Sequence, residues 1–293
     1  MKKIKDYFQL IKLSLSIMVV FSSVISFMLT PGYEAYQDKL FRILMLFIGG
    51  MLVTGSANAI NQVVEKDTDA KMKRTAKRPV AAGRMSVIEG QVFAIVTGLL
   101  GVFILGHYFN LLAAGLATFS LFLYAFIYTP LKKINSIAVL VGAVPGALPC
   151  LIGWAAGENA LSIGGWVLFA FQFFWQFPHF WAIAWVAHKD YSTAGFKLLP
   201  AEEGPNKFTA IQTILYSLVL VPITLLPFFI GMSSYKDMVG SIALVLIGLA
   251  NVFMIARCIR LYIKMDVAAA RQVMFGSYMY LPVVMLALLL SKV

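Results

Sequence analysis

The 293-residue chain is 60% hydrophobic and 13% charged, whereas a soluble domain has roughly 45–50% apolar and about 25% charged residues. That excludes an ordinary water-soluble fold and points to membrane-spanning helices, each taking about 20 apolar residues. A net charge of +11 would suggest nucleic acid for a soluble protein; here the basic residues fall in connections, as the orientation rule for membrane helices requires, and no nucleic-acid partner is expected.

Apolar windows predict nine transmembrane helices, with cores at 10–30, 40–60, 86–107, 111–128, 136–156, 161–187, 207–231, 238–260 and 272–291. Breakers such as Thr30-Pro31-Gly32, Asn110, Thr129-Pro130, Gly157-Glu158-Asn159 and Gly204-Pro205-Asn206 separate them. The first segment opens with Lys2, Lys3 and Lys5, runs long and lacks a small-residue cleavage site, so a retained helix is expected. With a cytoplasmic N-terminus and an outer C-terminus, 20 of the 24 Lys and Arg lie inside, and Lys39, Arg42, Lys236 and Lys292 lie outside. One all-α membrane domain over residues 1–293 is expected, and the loop spacing hints at two four-helix halves plus one helix. Cys150 and Cys258 lie in separate apolar segments, without metal-type spacing.

The second apolar segment runs directly into a polar stretch. There Asn61, Glu65 and Asp69 recur at every fourth position, setting an amide and two carboxylates on one helix face, with Asn58 near the same stripe. Hard oxygen donors of this kind suit Mg2+, which holds one or two protein carboxylates together with substrate phosphates and water. Lys71, Lys73, Arg74, Lys77 and Arg78 follow, and bases behind acids are what a metal-diphosphate complex requires. A solvated loop touching anionic membrane lipid accounts for the bases alone. It does not account for like-charged acids held at the membrane edge.

Tyr124 and Tyr128 share a helix face ahead of Pro130, with Lys132 at the rim as a diphosphate contact. Taken alone, such tyrosines are interfacial belt residues as readily as cavity walls. In the sixth segment Gln172, Gln176 and His179 form a polar stripe among aromatics that include Trp175, and lipid offers such groups no partner. His179 precedes His188 by nine residues and so sits about 13 Å inside the helix end. An intramembrane histidine is a functional candidate, with a purely structural histidine as the alternative.

The run Asn61-x3-Glu65-x-Asp67-x-Asp69-x2-Met72-x-Arg74-Thr75-x2-Arg78-Pro79 resembles the first signature of the UbiA superfamily of intramembrane prenyltransferases. Its Met-x-Arg-Thr-x-x-Arg-Pro tail resembles the branch that farnesylates protohaem IX, as do Tyr-Thr-Pro-Leu-Lys at 128–132, Gly-Ala-Leu-Pro at 146–149 and Phe-Pro-His-Phe-Trp at 177–181. The loop from His188 to Pro200 is similar to the second acidic signature, with Lys189 in place of one acid of its pair and Asp190 as the other; Glu65 stands where the family usually has Asp.

The resemblance implies nine helices around a central cavity in a bacterial cytoplasmic membrane, with Asn61, Glu65, Asp67, Asp69 and Asp190 toward Mg2+. Lys71, Arg74, Arg78, Lys132 and Lys189 would face diphosphate, and Tyr124, Tyr128, Gln172, Trp175, Gln176 and His179 the haem or prenyl cavity. It further implies farnesyl diphosphate as donor, haem B as acceptor, haem O as product and a haem-oxidase assembly partner. A quinone-type acceptor is the rival within the superfamily. A transporter is the rival from another class, although its ionisable groups would be spread through the midplane.

Overall fold

The structure is a computed structural model that describes residues 2–201 and 204–293. In chain order the helices are α1 (Lys2–Leu10), α2 (Leu13–Leu29), α3 (Lys39–Val64), α4 (Lys66–Lys71), α5 (Val87–Tyr108), α6 (Leu111–Phe122), α7 (Thr129–Leu131), α8 (Ala138–Glu158), α9 (Ile163–Val186), α10 (His188–Thr193), α11 (Lys207–Phe229), α12 (Met238–Lys264) and α13 (Val267–Leu290). A π-helical turn at Leu123–Tyr128 joins α6 to α7. Ser86, Asn110, Asn206, Asp237 and Asp266 start α5, α6, α11, α12 and α13, each side chain accepting the backbone N–H of the third helical residue.

The nine expected cores each fall on helical segments, and length and apolarity alone mark fewer of them as membrane spans. Among the described residues seven helices are long and apolar enough to cross a bilayer, or eight if the bent pair Lys3–Leu10 and Leu13–Leu29 is taken as one. The helix α9 drops out because Gln172, Gln176, Pro178 and His179 dilute its apolar residues. The first segment is also not continuous: α1 and α2 meet at 47°.

Successive long helices pack side by side, and α13 returns to α2, closing the ring. Two large cores result, beside two small ones. Residues of α2, α3, α5, α6 and α8 form one, with Phe27, Leu46, Leu105, Leu148 and Leu151 at its centre. Residues of α9, α11, α12 and α13, joined by Ile25 of α2 and Trp154 of α8, form the other around Phe171, Leu220, Ile247, Met254 and Tyr280. The glycine at 153 brings α2 and α8 into direct backbone contact, since a Cβ there would stand 1.9 Å from the Ser23 carbonyl oxygen. Large apolar side chains cover the outside, as in the α5 stripe of Ile88, Val92, Ile95, Leu99 and Phe103, each more than half exposed. In water such a surface would be a liability; facing lipid it is the expected solvent boundary.

The ends of α3, α7 and α9 gather on one face of the ring, tied by Lys132 to Glu65 and by the Lys197 N–H to the Lys132 carbonyl. On the opposite face three of the four outlying basic residues, all but Lys236, are paired with acids. Lys39 pairs with Glu34, Arg42 with Asp38, and Lys292 with Glu34 and the carbonyls of Met28 and Thr30.

Candidate active site

The acid stripe is built by a helix that bends without losing register. Although α3 ends at Val64, the Glu65 N–H bonds to the Asn61 carbonyl at 2.9 Å, and the Asp69 N–H to the Glu65 carbonyl at 2.7 Å. Asn61, Glu65 and Asp69 therefore stay on one side and are buried at 2%, 5% and 0% exposure, turned to protein and away from lipid. The Asn61 Nδ2 atom has no partner among the described residues.

Each acid is met by a base from another part of the chain. Lys132 Nζ donates to Glu65 Oε1 at 2.7 Å, both side chains buried. Arg78 Nη1 reaches both Asp69 oxygens at 2.8 and 2.7 Å. A third base is Lys12, whose Nζ lies 3.4 Å from Asn61 Oδ1. Lys12 holds a left-handed backbone conformation with φ 49°, which costs a non-glycine residue energy and persists only where neighbours enforce it. Those neighbours are on α3. Gln62 Nε2 donates to the carbonyls of Gln9 and Leu10, and Asn58 Nδ2 to the Ile11 carbonyl and Ser16 Oγ, so the break between α1 and α2 is stapled to the acid-bearing helix.

Electrostatics follow from this crowding. Burial raises the Asp69 carboxyl above its ordinary value, against the opposing pull of Arg78. A surplus of cations around two carboxylates and an orphaned amide is a site prepared for an anion that brings its own cation.

The remaining walls come from the π-helical turn and from α10. The wide turn closes with the Thr129 N–H on the Tyr124 carbonyl, which Thr129 Oγ1 also bonds at 2.8 Å; π-turns of this kind recur at functional sites. It sets Tyr124 against Tyr128, their rings tilted 48° at 5.2 Å, and puts Lys132 Nζ 4.6 Å from the Tyr128 ring centre. The Phe196 ring flanks the same lysine at 5.8 Å. Gly195, at φ +78°, makes the turn that returns the Phe196 N–H to the Tyr191 carbonyl. Arg74 bonds the Tyr191 hydroxyl at 2.7 Å and lies over its ring, latching the first loop to the second. On α9 the His179 ring is met edge-on by Tyr278 of α13 at 4.8 Å.

Nothing in the donor set makes a closed protein cage for a metal: among the described residues no group of three or more His, Cys, Asp or Glu converges. Two carboxylates and an amide oxygen on one stripe do match the open, phosphate-completed coordination of Mg2+, and the unpartnered Asn61 Nδ2, an N–H donor, suits a phosphate oxygen.

The sequence pattern of the UbiA prenyltransferase family matches residues 19–282. The chain belongs to the UbiA prenyltransferase family. It is 42% identical over 289 residues to the protoheme IX farnesyltransferase of Cytophaga hutchinsonii, with 98% of this chain and 97% of that protein covered. It is 39% identical over 287 residues to the Flavobacterium johnsoniae protein of the same name, covering 98% and 94%. Among solved structures it resembles digeranylgeranylglyceryl phosphate synthase with a TM-score of 0.78 at 18% identity, covering 99% of each chain. It also resembles a UbiA homologue from Archaeoglobus fulgidus bound to GPP and Mg2+, with a TM-score of 0.69 at 14% identity, covering 97% and 99%.

In this UbiA prenyltransferase several residues singled out from sequence stand apart from the cluster. Asp67 and Lys71 are exposed on α4, and Lys189 is exposed on α10 beside half-buried Asp190, whose carboxylate has no ion pair among the described residues. Gln172 and Gln176 point at α8: their amides donate to the carbonyls of Gly146 and Ala143 at 2.8 and 3.0 Å. Trp175 and His179 stack at 4.8 Å on the inner side of α9. Sequence reasoning did not single out Lys12, Tyr191 or Ser277. Lys12 reads as one more orientation charge, and only its place at the head of an apolar segment carrying Ser14 and Ser16 marks it.

Proposed function

We propose that this protein is a Mg2+-dependent protohaem IX farnesyltransferase. It transfers the farnesyl group of farnesyl diphosphate to a vinyl group of haem B, with uptake of water, giving haem O and diphosphate. It crosses a bacterial cytoplasmic membrane nine times, with α9 as a polar but protein-enclosed span, and its charged face and N-terminus lie in the cytoplasm. The observation that carries the reading is the meeting of Asn61, Glu65 and Asp69 with Lys12, Lys132 and Arg78 at one end of the helix ring. Full-length similarity to proteins named protoheme IX farnesyltransferase supports the choice of substrates.

Bound Mg2+ supplies positive charge to the departing diphosphate. Asn61, Glu65 and Asp69 would hold that ion, with Asp190 of α10 beside them. Lys132, Arg78, Lys12 and Arg74 would turn from their carboxylate, amide and tyrosine partners to phosphate oxygens, where charge develops as the allylic C–O bond lengthens. Tyr124 and Tyr128 line the adjoining wall, and their ring faces tolerate the allylic cation until the vinyl carbon attacks it. The resulting porphyrin-side cation takes a hydroxyl from water, and a proton leaves. Along α9, Trp175 and His179 meet the porphyrin, His179 toward the iron.

The test is product mass. Purified protein given haem B, farnesyl diphosphate and Mg2+ is expected to yield haem O. Haem B recovered unchanged while a quinone precursor is prenylated would overturn the acceptor assignment.

A further inference from the structure

Ser277 on α13 is fully buried and reaches across to α9 at two points. Its carbonyl accepts the Trp175 indole N–H at 3.0 Å, and its Oγ lies 2.7 Å from His179 Nδ1. The same Oγ lies 2.7 Å from the Met274 carbonyl one turn back. A hydroxyl has a single proton, and a carbonyl can only accept. Donation to Met274 leaves a lone pair that accepts from His179 Nδ1–H, and both contacts become hydrogen bonds. The opposite tautomer satisfies one contact, leaves two oxygens facing each other at 2.7 Å without a proton, and strands an Nε2–H that has no partner among the described residues. The rings are also fixed in rotation: His179 lies 15° from parallel on Trp175, with Tyr278 edge-on against its other side.

We propose that Ser277 is a positioning residue that holds His179 in its Nδ1–H tautomer and keeps the Nε2 lone pair free to ligate the iron of the porphyrin substrate. This rests on the haem-acceptor reading above. A partner on the far nitrogen is how ligating histidines are generally oriented, and losing it typically weakens metal affinity about 10- to 100-fold.

Ferric haem B and metal-free protoporphyrin IX, titrated separately into the purified full-length protein in detergent, separate an iron-directed role from cavity shape. Ser277→Ala is expected to weaken haem B binding about 10- to 100-fold and to shift the iron–imidazole stretch of the reduced complex, with metal-free porphyrin binding within about twofold of wild type. Ser277→Thr, which keeps the hydroxyl, is expected to restore both. Equal weakening of the two porphyrins by Ser277→Ala would assign the serine to packing and overturn the proposal. If His179→Ala loses the iron-dependent affinity and Ser277→Ala does not, the role of Ser277 fails and the histidine reading stands. A wild-type spectrum in His179→Ala would remove the histidine reading, and the proposal with it.

Discussion

Glu65 and Asp69 are carboxylates taken almost wholly out of solvent, and a buried charge is tolerable only beside a partner. For Glu65 that partner is Lys132 at 2.7 Å. Removing one member of such a pair leaves an uncompensated charge and costs about 3–5 kcal/mol, whereas replacing both by apolar residues of similar size is often near neutral. Lys132→Met is therefore expected to lower thermal unfolding in detergent by an amount in that range, and Glu65→Met/Lys132→Met to recover most of it. A double variant as unstable as the single one would show that the pair is not mutually compensating. The spacing of Asn61, Glu65 and Asp69 was legible because it depends only on helical periodicity. The identity of each base partner was not, since Lys132 and Lys12 come from other helices. The left-handed turn at Lys12 exists only because Asn58 and Gln62 hold the carbonyls of residues 9–11.

Helices surrounded by protein on one side and lipid on the other show little polar periodicity, so apolar windows locate them without saying which face is inside. That explains why the nine cores were readable and the breaks were not: the bend at Lys12 and the π-turn at Leu123–Tyr128 lie within apolar or mixed sequence. It also explains the glutamines of α9. Their amides bond the Gly146 and Ala143 carbonyls of α8, a tie between helices that apolar windows do not show; separately, Ser120 donates toward the Pro145 carbonyl, which Pro149 leaves without a helical donor. The close approach of α2 to α8 gives a test with a matched control. Gly153→Ala is expected to destabilise the protein by about 1–3 kcal/mol, as overpacking does, because the new Cβ meets backbone and not a flexible side chain. Gly248→Ala on α12, where nothing lies within 4 Å, is expected to be neutral or slightly stabilising. Equal effects at both positions would contradict the packing described.

At the scale of the whole molecule, the ring is closed by α13 against α2, and its two faces differ in chemistry: basic loops around the acids on one side, a few basic residues, most of them paired with acids, on the other. Both native cysteines are buried, so single cysteines introduced at exposed Lys77 and Lys236 report sidedness directly. Lys77→Cys is expected to react with an impermeant maleimide only in inside-out vesicles, and Lys236→Cys only in right-side-out vesicles; the reverse pattern would invert the topology. The central claim is that acids and bases from three separate segments form one site for a divalent ion and a diphosphate together. Calorimetric titration of the purified protein with a non-hydrolysable farnesyl thiodiphosphate tests it. The account predicts binding at least about 10-fold tighter with Mg2+ than with chelator, and loss of that difference in Asp69→Ala. Equal affinity with and without Mg2+, or a metal dependence unchanged by Asp69→Ala, would contradict it.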